Sequence, residues 1–298
     1  MAPSSHLARS RPPGWLLALA TGGAILLLVV AASRWSTPSD EHAYWLAGHN
    51  LLAGQPVYDL ARRGPVEPYA YHYPPPFAQL MAPIAAIVPA DLWSVLWTAV
   101  LLGCLYWLAS RNVLVALASI AVLPVAVELW FRNIHLPLAV LTVLGLRRWP
   151  VLLGLGALVK LSPGLGLLYL AAKGRLRAAA LGVCAALVAA AVSYAISPAL
   201  WAEFIDVTVG RGPLDASGFV PVPYAFRFAA GVAIVLVAAR LRPPWDDGVA
   251  IVGMAVALPT LWFTALSFLL AVLPLVSAGT SREAPDPPGL AVPVSGRH

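Results

Sequence analysis

The sequence predicts an all-α protein, a polytopic integral membrane bundle of about eight to ten transmembrane or re-entrant helices. Hydrophobic residues make up 60% of the chain and charged residues 11%, whereas soluble domains contain about 45–50% and about 25%. The mean hydropathy over the whole chain is +0.81. Several apolar runs also reach the roughly 18 residues that cross a bilayer. Together these observations exclude a water-soluble domain and make the lipid bilayer an obligatory partner.

The charged residues do not indicate a nucleic-acid partner, although the formal net charge is +6. Arginines stand singly or in pairs between the apolar runs, which is typical of loop charges that orient membrane helices. The two cysteines, Cys104 and Cys184, each lie inside an apolar run and have no metal-ligand spacing. They are expected to pack between helices.

The first apolar run covers residues 15–33 and follows Arg9 and Arg11. It is longer than the roughly 7–15 residues of a signal-peptide core. A retained first transmembrane helix is therefore expected, preceded by a cytoplasmic tail at residues 1–14. Further spans are predicted at 75–88, 92–109, 113–131, 134–146, 150–172, 178–197, 223–240 and 248–277.

Three of these spans are irregular. The runs 75–88 and 134–146 are short, which predicts tilted, re-entrant or buried helices. The run 248–277 contains Pro259 and is expected to form one broken helix or two. Because no long soluble insertion interrupts the runs, we expect a single membrane domain.

The domain is expected to cover residues 15–277, with an outer loop at residues 34–74. The Pro-rich segment 278–298 has no apolar periodicity, and it is expected to be a disordered tail. No function is assigned to it.

The basic loops set the predicted orientation, because Lys and Arg favour the cytoplasmic side. Counting helices back from the basic loops places the N-terminus inside and residues 34–74 and 198–222 outside, which predicts a multi-pass protein of the cell membrane. The pair Arg147 and Arg148 then falls on the outer side, against the same rule. The loops used for the count contain Lys173, Arg175 and Arg177 in one case and Arg240 and Arg242 in the other.

The loop after the first span differs in composition from the rest of the chain. Residues 35–76 contain four of the 13 acidic residues, three of the six histidines and five of the nine tyrosines. Long ordered loops are usually functional. Residues 40–54, DEHAYWLAGHNLLAG, have a helical pattern that ends at Gly54. The segment YAYHYPPPF then returns the chain to the bilayer, stiffened by its prolines.

The adjacent acids Asp40 and Glu41 stand just past the predicted end of the first helix. An acid gains nothing there from the helix macrodipole, which favours cations at that end. Asp40 could cap the following helix, face solvent, or act as a general base. Adjacent helical residues point about 100° apart, so only one of the two carboxylates is expected to face a substrate.

Two segments resemble glycosyltransferase family 87. The first contains Asp40, Tyr44 four residues later, Leu52-x-Gly54, Tyr58-Asp59 and the stretch YHYPPPFAQLMAP. The second is LGALVKLSPGLGLLYLAAKGRLR, which contains a Lys-x-x-Pro motif and a basic loop. The resemblance implies the C-type membrane glycosyltransferase fold and a site that faces outward, away from the cytoplasm.

The resemblance also implies the reaction. A β-linked polyprenyl-phosphate donor would pass mannose to an acceptor hydroxyl with inversion, giving an α-mannoside. Another sugar, such as arabinose or glucose, fits these residues about as well. The acceptor could be a phosphatidylinositol mannoside, a lipoglycan or a protein, so a glycolipid or glycan is expected.

The resemblance places Asp40 at the position of the general base, with Glu41 as its rival. Lys160 lies about ten residues into the predicted span 150–172, and ionisable residues at such depth are usually functional. We expect Lys160 to bind the donor phosphate and Ser162 to donate to the same phosphate. The remaining candidates for substrate binding are Tyr44, His49, Tyr58, Tyr71, Tyr73 and Asn133.

Other interpretations of the polar residues are weaker. Glu128 and Arg132 are one helical turn apart, which predicts an intrahelical ion pair. No metal site and no cofactor is predicted, because the available ligands match no compact metal-binding spacing. Those ligands would be His42, His49 and His72 with Asp40 and Asp59.

Two other classes of function stay open. A transporter or flippase of a lipid-linked sugar would share the fold class and the buried lysine, but many transporters show an internal repeat, and this sequence has none. A non-catalytic membrane scaffold that partners a larger transferase is the second alternative.

Overall fold

A computed structural model describes residues 39–63, 67, 69–210 and 220–276, together with isolated residues between 14 and 25. The described residues form helices and contain no strand, which confirms the all-α prediction. Most of the predicted N-terminal tail and first helix lies outside the described residues, and the predicted tail 278–298 lies wholly outside them. The α-helices are α1 (Asp40–Leu52), α2 (Asp59–Arg63), α3 (Pro75–Ile87), α4 (Ala90–Leu108), α5 (Val113–Ile120), α6 (Leu123–Phe131), α7 (His135–Arg147), α8 (Val151–Ala157), α9 (Leu165–Ala172), α10 (Leu176–Ile196), α11 (Pro198–Gly210), α12 (Tyr224–Ala238) and α13 (Trp245–Val256), and the 3₁₀ helices are η1 (Ser162–Gly164) and η2 (Phe263–Ala271).

The lengths of the helices show which ones could cross a membrane. Two of those described, α4 and α10, are long and apolar enough to do so. The pair α5–α6 is a third candidate, but its two helices meet at an angle of 84°. The bend lies just before Pro124 in the first turn of α6, where the missing N–H and the bulk of the ring prevent α5 from continuing. The predicted span 113–131 is therefore broken into two helices.

The predicted span 150–172 does not cross the bundle. It folds as a hairpin of α8, η1 and α9, and both of its ends lie beside the end of α7. Arg175, which follows α9, donates from Nη1 to the carbonyl oxygen of Leu146 at 3.0 Å. Helix α8 has seven residues and so extends only about 10 Å. The segment is re-entrant, and Lys160 lies in the turn between its two arms.

Glycines let this hairpin pack closely against its neighbours. At Gly154, an added Cβ would lie 1.9 Å from the carbonyl oxygen of Gly182 in α10. An added Cβ at Gly145 or Gly166 would meet the side chain of Leu153 at 2.6 or 2.8 Å. Small residues allow this kind of close helix approach in lipid. The hairpin is thus held on two sides by neighbouring helices.

The basic loops gather at one end of the bundle, which we call the basic end. Lys173 forms an ion pair with Asp246 at the start of α13. Arg147 donates a hydrogen bond to the carbonyl oxygen of Pro274. Because the hairpin returns to the side from which it came, Arg147 and Arg148 lie on the same side as Lys173. The helix count from the sequence placed these two arginines on the opposite side, and that placement is wrong.

Helix α3, predicted as the span 75–88, stays at the other end of the bundle, beside α1. The ring of Phe77 lies 5.2 Å from that of Tyr44. Beyond the far end of α3, the carbonyl oxygen of Val88 accepts a hydrogen bond from Trp45 at 2.9 Å. Since both ends of α3 contact side chains of α1, the two helices lie side by side. We call this end of the bundle the site end.

Candidate active site

Asp40 begins α1 at the site end. The residue before it, Ser39, holds the N-cap position, and its side chain forms no capping hydrogen bond. The carboxylate of Asp40 instead accepts a hydrogen bond from the side-chain amide of Asn133. Asp40 is half-buried. The structure therefore directs this carboxylate toward a residue 93 positions away, in the loop between α6 and α7.

Asn133 links Asp40 to two tyrosines. Its Oδ1 accepts from the backbone N–H of Ile134 at 2.7 Å and from the hydroxyl of Tyr44 at 3.4 Å. The hydroxyl of Tyr44 also lies 3.0 Å from that of Tyr73. Since Oδ1 is occupied by these donors, the amide nitrogen is the atom left to donate to Asp40. The network fixes the orientation of both the amide and the carboxylate.

Lys160 reaches the same cluster from the turn of the re-entrant hairpin. Its Nζ lies 2.7 Å from Nε2 of His135 and 5.6 Å from the centre of the Tyr73 ring. Ser162 follows in η1, and its hydroxyl is fully buried with no hydrogen-bond partner among the described residues. Buried polar groups are normally hydrogen-bonded. The turn thus carries an ammonium group beside Tyr73 and, two residues further on, a buried hydroxyl with no hydrogen-bond partner among the described residues.

Glu128 and His135 extend the cluster away from Lys160. The imidazole Nδ1 of His135 lies 3.0 Å from Oε2 of Glu128. The other oxygen, Oε1, accepts from the backbone N–H groups of His135 at 2.7 Å and Leu136 at 3.3 Å. The sequence predicted an ion pair between Glu128 and Arg132, and the structure gives each of them a different partner.

Arg132 pairs with Glu41 instead. Its backbone φ of 53° is left-handed and ends α6, so its side chain does not continue along the helical face that carries Glu128. Arg132 Nε lies 2.6 Å from Oε1 of Glu41, and Ser94 donates to the same oxygen at 2.8 Å. Arg132 Nη2 donates to the hydroxyl of Ser39 at 3.0 Å. The arginine therefore binds the residues on both sides of Asp40, while Asn133 binds Asp40 itself.

The environment of Asp40 suits a group that accepts a proton near neutrality. Asp40 lies in α1, outside the candidate membrane-crossing helices. Burial raises the pKa of its carboxyl from 3.8 to about 7, although the positive charge of Lys160 opposes this rise. The negative charges of Glu128 and Glu41 raise the pKa further, and the hydrogen bond from Asn133 lowers it. A base with a pKa near the working pH is the most effective in proton transfer.

The other residues singled out from the sequence lie around the cluster or away from it. The hydroxyl of Tyr58 donates to the carbonyl oxygen of Tyr73 at 2.9 Å, and that of Tyr71 donates to the carbonyl oxygen of Pro74 at 3.2 Å. Both tyrosines thereby hold the loop that carries Tyr73. His49 is exposed and stacks on the ring of Trp45 at 4.9 Å. The structure does not bring His49 into the cluster.

Sequence reasoning missed His135 and misassigned the partner of Glu128. A signal was available, because both are ionisable residues inside apolar runs, and such residues usually mark functional sites in membrane proteins. In the part of the chain that the structure describes, no group of three or more His, Cys, Asp and Glu side chains is arranged to hold a metal ion. The cluster contains the carboxyl groups of Asp40 and Glu128 and the ammonium group of Lys160, linked through Asn133, His135 and two tyrosines.

One comparison with known proteins gives a match. The sequence profile of glycosyltransferase family 87 matches residues 71–282, which is more than half of the chain. No curated protein and no solved structure matches the chain. The matched range includes Tyr73, Asn133 and Lys160, whereas Asp40 and Tyr44 precede it and join the cluster through their contacts.

Proposed function

Since the chain belongs to glycosyltransferase family 87 and is thus a membrane glycosyltransferase, we propose that it transfers a mannose-type sugar from a polyprenyl-phosphate donor to an acceptor hydroxyl. The observation that carries this proposal is the meeting of Asp40 and Lys160 in one cluster. A chain of side-chain contacts through Asn133, Tyr44 and Tyr73 joins them. The base can take the proton of the acceptor hydroxyl, and the cation can bind the phosphate that leaves the sugar.

Each of these groups has a task in the reaction. The acceptor hydroxyl attacks the anomeric carbon, and Asp40 takes its proton as the new glycosidic bond forms. The bond from the anomeric carbon to the phosphate oxygen breaks at the same time, and its electron pair leaves with the phosphate. The ammonium of Lys160 offsets the charge that develops there, and the hydroxyl of Ser162 is available to donate. A single displacement inverts the anomeric centre, so a β-linked donor gives an α-linked product.

The position of the basic end supports an outward-facing site. Lys and Arg accumulate on the cytoplasmic side of membrane helices, so we assign the basic end to the cytoplasm. Helix α7 runs from His135 at the site to Arg147 at the basic end. Its 13 residues separate the two ends by about 18–20 Å. The cluster then lies toward the extracytoplasmic side, where a lipid-linked donor and a glycolipid or glycan acceptor would meet it.

Cysteine labelling tests this orientation. In a variant without Cys104 and Cys184, single cysteines replace the exposed residues Arg63, Arg148 and Arg177. A membrane-impermeant maleimide applied to intact cells should label only the cysteine at position 63. Labelling at position 148 without labelling at position 177 would restore the transmembrane span at 150–172 and contradict the hairpin.

A transfer assay tests the reaction. Purified wild-type protein and the Asp40→Asn variant receive radiolabelled polyprenyl-phosphate-mannose and a lipid extract as acceptor. Removal of a general base should reduce transfer by about 10²–10⁴-fold, while the amide oxygen of the new residue can still accept from Asn133 and preserve the fold. Equal transfer by both proteins would refute the assignment of Asp40. Donor binding without any transfer by the wild type would favour the transporter or the scaffold.

A further inference from the structure

The proposed reaction gives no task to Glu128 and His135. His135 nevertheless contacts Lys160 directly, and Glu128 contacts His135. We propose that they are positioning residues, which hold the ammonium of Lys160 in place for the donor phosphate by fixing the imidazole tautomer. This inference rests on the proposed function, because it assigns a role within the same site. It names two residues that sequence reasoning did not place there.

The hydrogen-bond pattern determines which imidazole nitrogen carries the proton. The ammonium group of Lys160 only donates hydrogen bonds, so Nε2 of His135, 2.7 Å from Nζ, accepts and carries no proton. The proton of the neutral imidazole then lies on Nδ1, which donates to Oε2 of Glu128 across their 3.0 Å contact. Oε1 of Glu128 accepts from two backbone N–H groups, and Oε2 is thereby left for His135.

The pair acts through Lys160 and does not itself meet the substrate. Glu128 is fully buried and His135 is 2% exposed, and both nitrogens of the imidazole are already hydrogen-bonded. The ammonium group of Lys160 has three N–H donors, of which His135 takes one. The other two are available to a phosphate. Losing the acceptor would release a long, flexible side chain, and this freedom would weaken phosphate binding.

Glu128 also has a structural task, since its carboxylate receives the first backbone N–H groups of α7. The substitution Glu128→Gln separates the two tasks. The amide oxygen of the new side chain can still accept from both backbone N–H groups. Its amide nitrogen, however, donates to Nδ1 of His135 and moves the imidazole proton to Nε2. Two donors then face each other at Lys160, while the start of α7 stays capped.

The substitutions His135→Leu and His135→Gln form the second pair. Leucine removes the acceptor and keeps much of the volume. In glutamine, the amide oxygen stands about as far from Cβ as Nε2 does in histidine, so it can accept from Lys160. The matched control is Thr142→Val, which removes a buried hydroxyl that donates to the carbonyl oxygen of Leu138 within α7.

The experiment measures polyprenyl phosphate binding by the full-length protein in detergent, together with KM and kcat for polyprenyl-phosphate-mannose. His135→Leu and Glu128→Gln should each weaken binding by about 10–100-fold, the range expected for a lost hydrogen bond to a charged group. His135→Gln should recover most of this loss, and Thr142→Val should bind as the wild type does. The double variant His135→Leu/Glu128→Gln should bind no more weakly than either single variant, because both act on the same contact.

The possible results distinguish this inference from the proposed function. Wild-type affinity in both His135→Leu and Glu128→Gln would overturn the inference, even if transfer is confirmed. Equal losses in His135→Leu and His135→Gln would also overturn it, since the acceptor would then be irrelevant. If the wild type binds polyprenyl phosphate without transferring mannose, the proposed function fails, and the binding series still decides the inference. A wild type that neither binds nor transfers would overturn both.

Discussion

Replacing Glu41 with Gln would remove the charge from a carboxylate that the structure buries completely against Arg132. The two side chains are 0% and 5% exposed, and Nε lies 2.6 Å from Oε1. The amide oxygen of Gln can keep the hydrogen bond from Ser94, so the main loss is the charge that compensates the guanidinium. An uncompensated buried charge costs about 3–5 kcal/mol. At about 2–4 °C per kcal/mol for a large domain, the unfolding midpoint should fall by on the order of 10 °C.

Thermal unfolding in detergent, followed by the fluorescence of the 11 tryptophans, would measure this change alongside sugar transfer. We expect Glu41→Gln to unfold at a lower temperature and still to transfer sugar below that temperature. Asp40→Asn should behave in the opposite way, with an unchanged midpoint and lost transfer. As a control, Glu41→Gln combined with Arg132→Met should recover stability, because neither charge is then left unpaired. An unchanged midpoint with lost transfer in Glu41→Gln would make Glu41 the base and refute the assignment.

Two further predictions concern the protonation of the base and the packing of the hairpin. Because burial raises the pKa of Asp40 to about 7 and the carboxylate is the active form, kcat/KM should fall about tenfold per pH unit well below pH 7 and level off above it. A kcat/KM that is independent of pH between about 5 and 8 would contradict this. Gly154→Ala should destabilise the protein by about 1–3 kcal/mol or more, because the new Cβ would lie 1.9 Å from the carbonyl oxygen of Gly182. Gly103→Ala, with nothing within 4 Å of its Cβ, is the control for this measurement, and equal unfolding midpoints in the two variants would argue against the close packing.

Part of the cluster was named from the sequence alone. Asp40, Tyr44, Tyr73, Asn133 and Lys160 were all named from the sequence, and the structure brings them into one cluster. Their grouping was predictable because each stands in a distinctive segment or at an unusual depth. Their roles in transfer stay predictions until the variants are measured.

The partners of the charged residues were harder to predict. The spacing of Glu128 and Arg132 satisfies the rule for an intrahelical pair, but that rule holds only if the helix continues through both residues. The left-handed conformation of Arg132 ends the helix and sends the side chain to Glu41. Backbone conformation at a single residue is not visible in a hydropathy pattern. His135 was missed because its partners lie on segments 7 and 25 residues away.

Two errors in the helix count from the sequence compensate each other. Neither 75–88 nor 150–172 crosses the bundle, and removing two spans from a count leaves the side of every later loop unchanged. Length and hydropathy could not reveal this, because a re-entrant hairpin of 23 mostly apolar residues has the composition of a span. The signal for the error was the pair Arg147 and Arg148. The helix count placed this pair on the outer side, against the preference of arginine for the cytoplasm, and the pair stands next to the segment that does not cross.

The hairpin also bears on how the chain enters the membrane during synthesis. In the proposed orientation, the arginines and lysine at its two ends stay in the cytoplasm, and the two apolar arms enter the bilayer with the turn that carries Lys160. None of the charged residues that flank the hairpin then has to cross the membrane. Lys160 itself passes through only part of the hydrocarbon layer before it contacts His135. A charged residue at the centre of a helix costs about 2.5–3.5 kcal/mol to insert. A lysine on a hairpin can insert late, after α7 has already provided its acceptor.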